Sequence, residues 1–233
     1  MIYPKHVAII PDWNRTRAKA NNKTIPEAYM ISYQKWVELI KYTFTQTDIK
    51  IFTLWWLSTE NTNKRPKEEF DFLMNMYKLI DDDLDTVLIE NQVNFKRIWN
   101  PDWITSDFKQ YLDQKTEKTK CNSDKYFIFA INYWWRNEII RWIQKLNKNN
   151  FDFWNITEED ISKSLELWNI DHVELVIRTK WDQAQRTSGF MSRWIWYAEL
   201  YFTASKCPEF WVEQFQEALN RFDKMAKLRN YWK

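Results

Sequence analysis

The chain has 233 residues, of which 45% are hydrophobic and 28% are charged, and its net charge is +2. This length suits one domain or two, and this composition is typical of a soluble globular protein. So nearly balanced a charge argues against nucleic acid as the main partner. The first apolar run, Val7 to Ile10, is too short for a secretory signal, and no run is long enough for a membrane span. Cys121 and Cys207 lie far apart and predict free thiols in a reducing compartment, so we expect a cytoplasmic protein.

Short apolar runs alternate with helical patterns along the chain. The predicted strands cover residues 7–10, 50–57, 94–98, 126–132, 173–178 and 198–202. The predicted helices cover about 26–47, 66–84, 104–118, 136–146, a short stretch that begins with a capping-box pattern at 157–160, and 210–228. Apolar strands that alternate with helices predict an α/β fold with a six-stranded, mostly parallel sheet flanked by helices. No linker or repeat interrupts the pattern, so we predict a single domain over residues 1–233.

Polar and charged residues follow the first predicted strand. Pro11 ends that strand, and Asp12 lies just past its carboxyl end, where ligands bind in open α/β sheets. The residues that follow carry donors and positive charge: Asn14, Arg15, Arg17 and Lys19. A carboxylate beside such cations suits a metal-bound polyphosphate, because Asp holds the metal and Arg and Lys hold the oxygens. A solvated turn after the strand would show the same residues, so both interpretations stay open at this point.

Further polar groups lie at the ends of other predicted strands. Residues 58–61, Ser-Thr-Glu-Asn, follow the second strand, and Arg65 comes next. Arg178 ends the fifth strand, and Arg186 and Ser188 follow; two arginines and a hydroxyl suit one diphosphate. Glu199 is flanked by apolar residues and needs a partner or a metal, because a buried unpaired carboxylate is unfavourable. The alternatives are a loop leading into a helix, a basic surface loop and a salt-bridged strand residue.

Glycine usage is abnormal. The chain has one glycine, Gly189, against 16 tryptophans, whereas average usage of about 7% would give roughly 16 glycines. Several tryptophans lie in turn-like settings where glycine is the usual residue: Trp13, Trp103, Trp134, Trp135 and Trp181. We hypothesise that most Trp letters stand for glycine, as expected where a UGA codon that the host reads as glycine has been translated as Trp. A genuinely tryptophan-rich protein is the alternative.

With Trp read as glycine, several separate blocks of the chain resemble the cis-prenyltransferases of the undecaprenyl diphosphate synthase type. The blocks are residues 6–14 (HVAIIPDWN), 57–61 with 65–66 (LSTEN and RP), 130–136 (AINYWWR), 176–182 (VIRTKWD), 186–190 (RTSGF), 197–202 (YAELYF) and 207–210 (CPEF). They follow the family's order, and Trp13, Trp134, Trp135 and Trp181 fall on family glycines. Trp36 and Trp194 do not.

The resemblance implies a reaction, a cofactor and partners. An allylic diphosphate such as farnesyl diphosphate loses its diphosphate, C4 of isopentenyl diphosphate attacks, and repetition grows a Z-polyprenyl chain in a hydrophobic tunnel. The product type is undecaprenyl diphosphate, the precursor of a cell-wall lipid carrier, and the expected cofactor is Mg²⁺. The resemblance also implies a homodimer that binds no nucleic acid and touches the membrane only peripherally, through its lipid-soluble product.

The resemblance also assigns residue roles. Asp12 is the essential acid, which holds Mg²⁺ and assists departure of the diphosphate, and Glu199 contributes to the Mg²⁺ site. Ser58 and Asn61 lie where a proton is removed during condensation. The allylic diphosphate cradle is implied to contain Trp13 (as glycine), Asn14 and Arg15, and Arg17 and Arg65 are further expected substrate-binding residues. The diphosphate of isopentenyl diphosphate is implied to bind Arg178, Arg186 and Ser188.

The chain also departs from the family pattern. Thr16 stands where a phosphate-binding arginine is common, with Arg15 or Arg17 as its substitute, and Tyr29 replaces a histidine. These departures leave an alternative, a non-catalytic prenyltransferase-like subunit that binds a partner. Such a subunit would tend to lose the metal-site acid and the second-substrate arginines, and the retention of Asp12 and Arg178 favours the enzyme.

The glycine hypothesis predicts the composition of the native protein. Peptide mass spectrometry of the protein isolated from its host should find glycine at positions 13 and 135. Tryptophan at either position would contradict the hypothesis.

Overall fold

The fold is built on one parallel sheet. The computed structural model describes residues 1–11, 24–64, 66–79, 82–102, 104–179, 185–207 and 209–230. Its strands are β1 (His6–Ile10), β2 (Ile51–Trp55), β3 (Asn94–Trp99), β4 (Tyr126–Ile131), β5 (Leu175–Thr179) and β6 (Glu199–Thr203). They form a six-stranded sheet in the order β3-β4-β2-β1-β5-β6, and every neighbouring pair is parallel. The predicted α/β class and six-stranded sheet are therefore confirmed.

Helices connect the strands. They are α1 (Ile25–Gln46), α2 (Thr59–Lys64), α3 (Lys67–Leu79), α4 (Asp82–Glu90), α5 (Ser106–Lys118), α6 (Trp135–Lys148), α7 (Glu158–Ser164) and α8 (Val212–Asn230), with a 3₁₀ turn at Phe153–Asn155. The helix predicted over 66–84 is found as α3 and the start of α4, and residues 80–81 between them lie outside the described residues.

The sheet is covered on both faces. Val7 and Ile9 of β1 belong to one buried apolar cluster, and Ala8 and Ile10 belong to the other. This alternation is the period of two expected of a strand, here with both faces apolar. None of the helices in the described ranges combines the length and apolar character that crossing a bilayer requires.

Strand register brings three carboxyl ends together. In β1, Ile9 pairs with Leu54 of β2, and Ile10 pairs with Arg178 of β5. The loops that leave β2, β1 and β5 therefore begin side by side at one edge of the sheet. In parallel α/β sheets this is the edge at which ligands bind.

A fully buried histidine begins β1 at the opposite edge. Nδ1 of His6 lies 2.7 Å from the carbonyl oxygen of Asp171, and Nε2 lies 2.7 Å from Oγ1 of Thr53. A neutral ring fits both contacts, since Nδ1–H donates to the carbonyl and Nε2 accepts from the hydroxyl. Burial lowers the pKa of His6 from its ordinary 6.5 to about 4, although the carbonyl of Asp171 acts in the opposite direction.

His6 should therefore make folding sensitive to acid. The pKa of His6 is lower in the folded state than in the unfolded state. The buried neutral ring therefore contributes to the free energy of unfolding above pH 6.5, and this contribution is lost as the pH falls from 6.5 towards 4. We expect the free energy of unfolding of the natural chain, relative to that of His6→Gln, to fall by roughly 3 kcal/mol over that range. Urea denaturation at a series of pH values measures this difference.

The difference between variants is the useful quantity, because burial raises the pKa of Glu166 to about 7 and so opposes the effect of His6 in the total. The matched control is replacement of the other histidine, the exposed His172, by Gln. A relative stability that is independent of pH in His6→Gln would contradict the assignment.

Candidate functional site

A cavity of about 290 Å³ opens at the carboxyl edge of β1, β2 and β5. Its lining consists of Ile10, Pro11, Trp55, Trp56, Leu57, Ser58, Glu60, Trp134, Arg178, Arg186 and Ser188. The volume lies near the lower end of the range for small-molecule sites. The lining combines apolar and aromatic walls with two arginines, a carboxylate and two hydroxyls, which suits an anionic group attached to a hydrocarbon.

The β5 side of the cavity carries the arginines. Arg178 lies in β5 and is only 7% exposed, and its Nη1 donates to Oγ of Ser188 over 3.4 Å. The N–H of Phe190 donates to the carbonyl of Thr187 over 3.0 Å and closes a tight turn. This turn holds Ser188 beside Arg178, with Arg186 just before it on the same wall.

The conformation of this turn explains the glycine in it. Ser188 and Gly189 both have positive φ, 52° and 76°, as in a type I′ turn. A Cβ atom on Gly189 would lie 2.5 Å from Nε1 of Trp134. Only glycine fits there, because the backbone is left-handed and an indole occupies the space that a side chain would need.

The β2 side of the cavity carries Ser58. It follows β2 directly and forms an isolated parallel bridge with Tyr133, which follows β4. The hydroxyl of Thr59 donates to the carbonyl of Asn132 over 2.9 Å, and α2 then begins. Glu60, in the first turn of α2, also lines the cavity. Our residue predictions missed Glu60, although its place in the Ser-Thr-Glu-Asn block after a predicted strand was a signal.

Tryptophan side chains narrow the cavity. Trp55 stacks on Phe190 with ring centroids 4.8 Å apart, and Trp134 reaches the cavity from the residue before α6. In the described residues positive φ occurs at Gln92, Asn132, Asn150, Ser188, Gly189 and Met191 but at no tryptophan, and Trp134 is extended at −148°. Backbone strain therefore gives no support to glycine at position 134. What glycine would change there is the space in the cavity.

A second cavity shares Trp56 with the first, and its lining is aliphatic and aromatic. Its lining consists of Tyr33, Trp36, Val37, Ile40, Leu54, Trp56, Tyr77, Leu84, Phe127 and Phe129. Its volume is about 10 Å³, barely the space of one water, because aromatic rings fill it. Tyr77 stacks on Phe129 at 4.7 Å, and Trp56 lines both cavities. The indole of Trp56 therefore separates the arginine-lined cavity from the apolar interior.

The structure brings together four of the predicted site residues, which are Ser58, Arg178, Arg186 and Ser188. Asn61 lies in α2, and its side chain is outside the described part of the chain. The other predicted site residues, apart from Glu199, lie outside the described residues: Asp12, Trp13, Asn14, Arg15, Arg17 and Arg65. The described Pro11, which immediately precedes Asp12, lines the cavity.

Glu199 lies away from this cluster. It is the first residue of β6 and pairs with Leu175, whereas Arg178 pairs with Phe202 further along β6. It is therefore at the amino end of its strand, and its Oε1 is 3.7 Å from Nη2 of Arg229 in α8. Glu199 and the cavity therefore lie at opposite edges of the sheet within one chain, and the metal role of Glu199 stays a prediction.

Comparison with known proteins places the chain among prenyltransferases. Residues 10–229 match the family model described as "Putative undecaprenyl diphosphate synthase". An isoprenyl transferase of Bacillus thuringiensis subsp. konkukian is 32% identical over 226 residues, which is 94% of this chain and 85% of that protein. The similarity therefore covers nearly the whole chain.

Two solved structures have the same fold as this chain and are also similar to it in sequence. Lavandulyl diphosphate synthase from Lavandula x intermedia, in complex with dimethylallyl diphosphate, is 27% identical with a TM-score of 0.84, and the match covers 94% of this chain and 95% of that one. A probable undecaprenyl diphosphate synthase from Campylobacter jejuni is 27% identical with a TM-score of 0.69, and the match covers 96% of each chain.

Proposed function

The chain belongs to the undecaprenyl diphosphate synthase family of prenyltransferases, and from this premise we propose that it condenses isopentenyl diphosphate with an allylic diphosphate to build a Z-polyprenyl diphosphate. The observation that carries the proposal is the cavity in which Arg178, Arg186 and Ser188 face Ser58. The related lavandulyl diphosphate synthase holds dimethylallyl diphosphate, which is an allylic diphosphate.

The arginine wall is proposed to bind the diphosphate of isopentenyl diphosphate. Two guanidinium groups and a hydroxyl offer directed donors to several phosphate oxygens, and charge-assisted bonds of this kind are about twice as strong as neutral ones. Arg178 is nearly buried, so its charge is little screened by water. The arginines therefore fix the position of the nucleophilic alkene relative to the second substrate.

The condensation then needs three changes at the reacting atoms. The C–O bond between the allylic carbon and its diphosphate breaks, C4 of isopentenyl diphosphate bonds to that carbon, and a proton leaves the new chain. Positive groups that face the leaving diphosphate stabilise the charge that develops on it. Ser58 lies on the β2 wall, opposite the arginines, and is proposed to lie near the departing proton.

The growing hydrocarbon is proposed to extend past Trp56 into the apolar interior. The aromatic rings nearly fill the second cavity, so a long chain requires Trp56 or Tyr77 to move. We expect a cytoplasmic enzyme. Because its product is lipid-soluble, we also expect it to contact the membrane peripherally through that product.

Mg²⁺ is the proposed metal, since enzymes of this family are generally metal-dependent. In the part of the chain that the structure describes, no group of three or more His, Cys, Asp or Glu side chains could hold a metal. Mg²⁺ does not need such a group, because it is usually held by one or two carboxylates together with substrate phosphates. Asp12, which follows the cavity-lining Pro11, is the proposed carboxylate. The ion when bound would neutralise charge on the leaving diphosphate.

A homodimer is also proposed. β6 is an edge strand, and exposed apolar groups precede and occupy it: Trp196 (76% exposed), Tyr197 (90%) and Leu200 (43%). Such an edge needs a cover, and a second copy of the chain supplies one. Glu199 lies on the same strand, at the amino edge of the sheet, so its predicted metal role would require it to serve the cavity of another copy.

The proposed activity can be tested with two proteins, one as written and one carrying Trp13→Gly, Trp134→Gly, Trp135→Gly and Trp181→Gly. Each receives labelled isopentenyl diphosphate, farnesyl diphosphate and Mg²⁺. We expect the glycine form to incorporate label about tenfold faster or more. An indole that occupies part of the substrate site needs to weaken substrate binding by only ~1.4 kcal/mol to produce that factor.

Two controls accompany this assay. Chelation of divalent cations should stop incorporation, and added Mg²⁺ should restore it. Arg178→Ala in the glycine form should lower incorporation by about 10- to 100-fold through loss of the diphosphate contacts. A folded glycine form with no incorporation would contradict the proposal and favour the partner-subunit alternative.

The proposed dimer predicts that charge on β6 will separate the copies. Leu200→Glu should shift the mass measured by light scattering from that of a dimer to that of a monomer. The matched control is Ile89→Glu, since Ile89 is 47% exposed on α4, beside the far edge strand β3. A natural chain that is monomeric at micromolar concentration would refute the dimer.

A further inference from the structure

Tyr133 lies at a junction between the two walls of the cavity. It follows β4, is fully buried and does not line the cavity itself. Its N–H donates to the carbonyl of Leu57 over 3.1 Å, and its backbone forms the bridge to Ser58. The position of Tyr133 therefore constrains the β2 wall.

The ring of Tyr133 constrains the opposite wall. It packs edge to face against Phe190, with centroids 6.1 Å apart and planes at 81°. Phe190 ends the tight turn that presents Ser188 to Arg178, and it also stacks on Trp55. A shift of the Tyr133 ring would therefore displace Phe190 and, through the turn, Ser188.

The hydroxyl of Tyr133 is fixed by a buried carboxylate. It donates to Oε2 of Glu138 over 2.6 Å, and Glu138 lies in the first turn of α6 and is 6% exposed. Burial raises the pKa of Tyr133 well above its ordinary value, so the phenol remains a donor at neutral pH. A short hydrogen bond to a buried carboxylate gives this ring one preferred position.

Loss of the hydroxyl would remove the side-chain donor that holds Glu138. Oε1 of Glu138 is buried without a hydrogen-bond partner among the described residues. Burial raises the pKa of Glu138, and the backbone of Glu166 and the charges of Arg141 and Arg193 act in the opposite direction. These contacts do not touch the ring of Tyr133, so without its hydroxyl the ring would lose the hydrogen bond that fixes its position against Phe190.

We propose that Tyr133, fixed by Glu138, is a positioning residue that sets the spacing between Ser58 and the Thr187–Phe190 turn, and thereby the affinity for the diphosphate of isopentenyl diphosphate. This inference rests on the proposed function for the identity of the ligand. It concerns binding by the arginine wall, so it predicts an effect on KM and little effect on kcat.

The test uses Tyr133→Phe, which keeps the ring and removes only the hydroxyl, in the glycine form of the enzyme. We expect the KM for isopentenyl diphosphate to rise about tenfold, with kcat within about twofold of the parent. Hydrogen exchange at the amides of residues 188–190 should become faster. The matched control is Tyr126→Phe, the same change at the amino end of β4, which should alter neither quantity.

Two variants of Glu138 guard against a folding defect in Tyr133→Phe. Glu138→Gln keeps an acceptor for the hydroxyl and should preserve KM, whereas Glu138→Asp withdraws the acceptor by one methylene and should raise KM. An unchanged KM and unchanged exchange in Tyr133→Phe and Glu138→Asp, or a loss confined to kcat, would overturn the inference.

The two proposals fail in different ways. If the parent enzyme neither turns over nor binds isopentenyl diphosphate in a calorimeter, the proposed function fails, and the exchange of residues 188–190 still decides whether Tyr133 positions the turn. If the parent binds and Tyr133→Phe binds equally well, only the positioning role is refuted.

Discussion

The parallel arrangement of the strands is the constraint on which the rest of the structure depends. Six parallel strands place all their carboxyl ends at one edge, and the order β4-β2-β1-β5 puts four consecutive ends next to one another. Residues 120 positions apart in the chain, such as Ser58 and Arg178, consequently line one cavity. The helices on both faces exclude water from the strands, so the polar groups of the site lie at the carboxyl ends of the strands and in the segments that follow them.

Sequence reasoning succeeded where a single period or a strand end decided the outcome. The apolar run before Pro11 and the run that ends at Arg178 predicted two strands of one parallel sheet, and the structure shows that they are neighbours, with Ile10 paired to Arg178. It was less exact for boundaries: the strand predicted over 50–57 is β2, Ile51–Trp55, whose last paired residue is Trp55, although Trp56 and Leu57 are also buried. An apolar run reports burial and does not report where strand pairing ends.

Side-chain direction was the harder part of the site to predict. Glu199 was linked to the metal site by its residue type and its block, and the structure has it at the amino edge of the sheet. Its place near the start of the predicted strand 198–202 already indicated that edge, but the role came from the resemblance and was not compared with the strand direction. The contact between Tyr133 and Glu138 spans only five residues, yet it could not be predicted, because it depends on how the start of α6 turns relative to the end of β4.

Trp134 and Gly189 show how the glycine question bears on the site. The two residues compete for one volume, because a Cβ on Gly189 would lie 2.5 Å from the indole of Trp134. If position 134 is glycine in the native protein, that volume becomes free and joins the cavity beside Ser188. Glycine at 189 would still be favoured by its φ of 76° and by Trp135, whose Cδ1 would lie 3.2 Å from a Cβ atom there. The amount of room for a diphosphate at this edge is therefore set by position 134, whereas the shape of the turn that binds it is set by position 189.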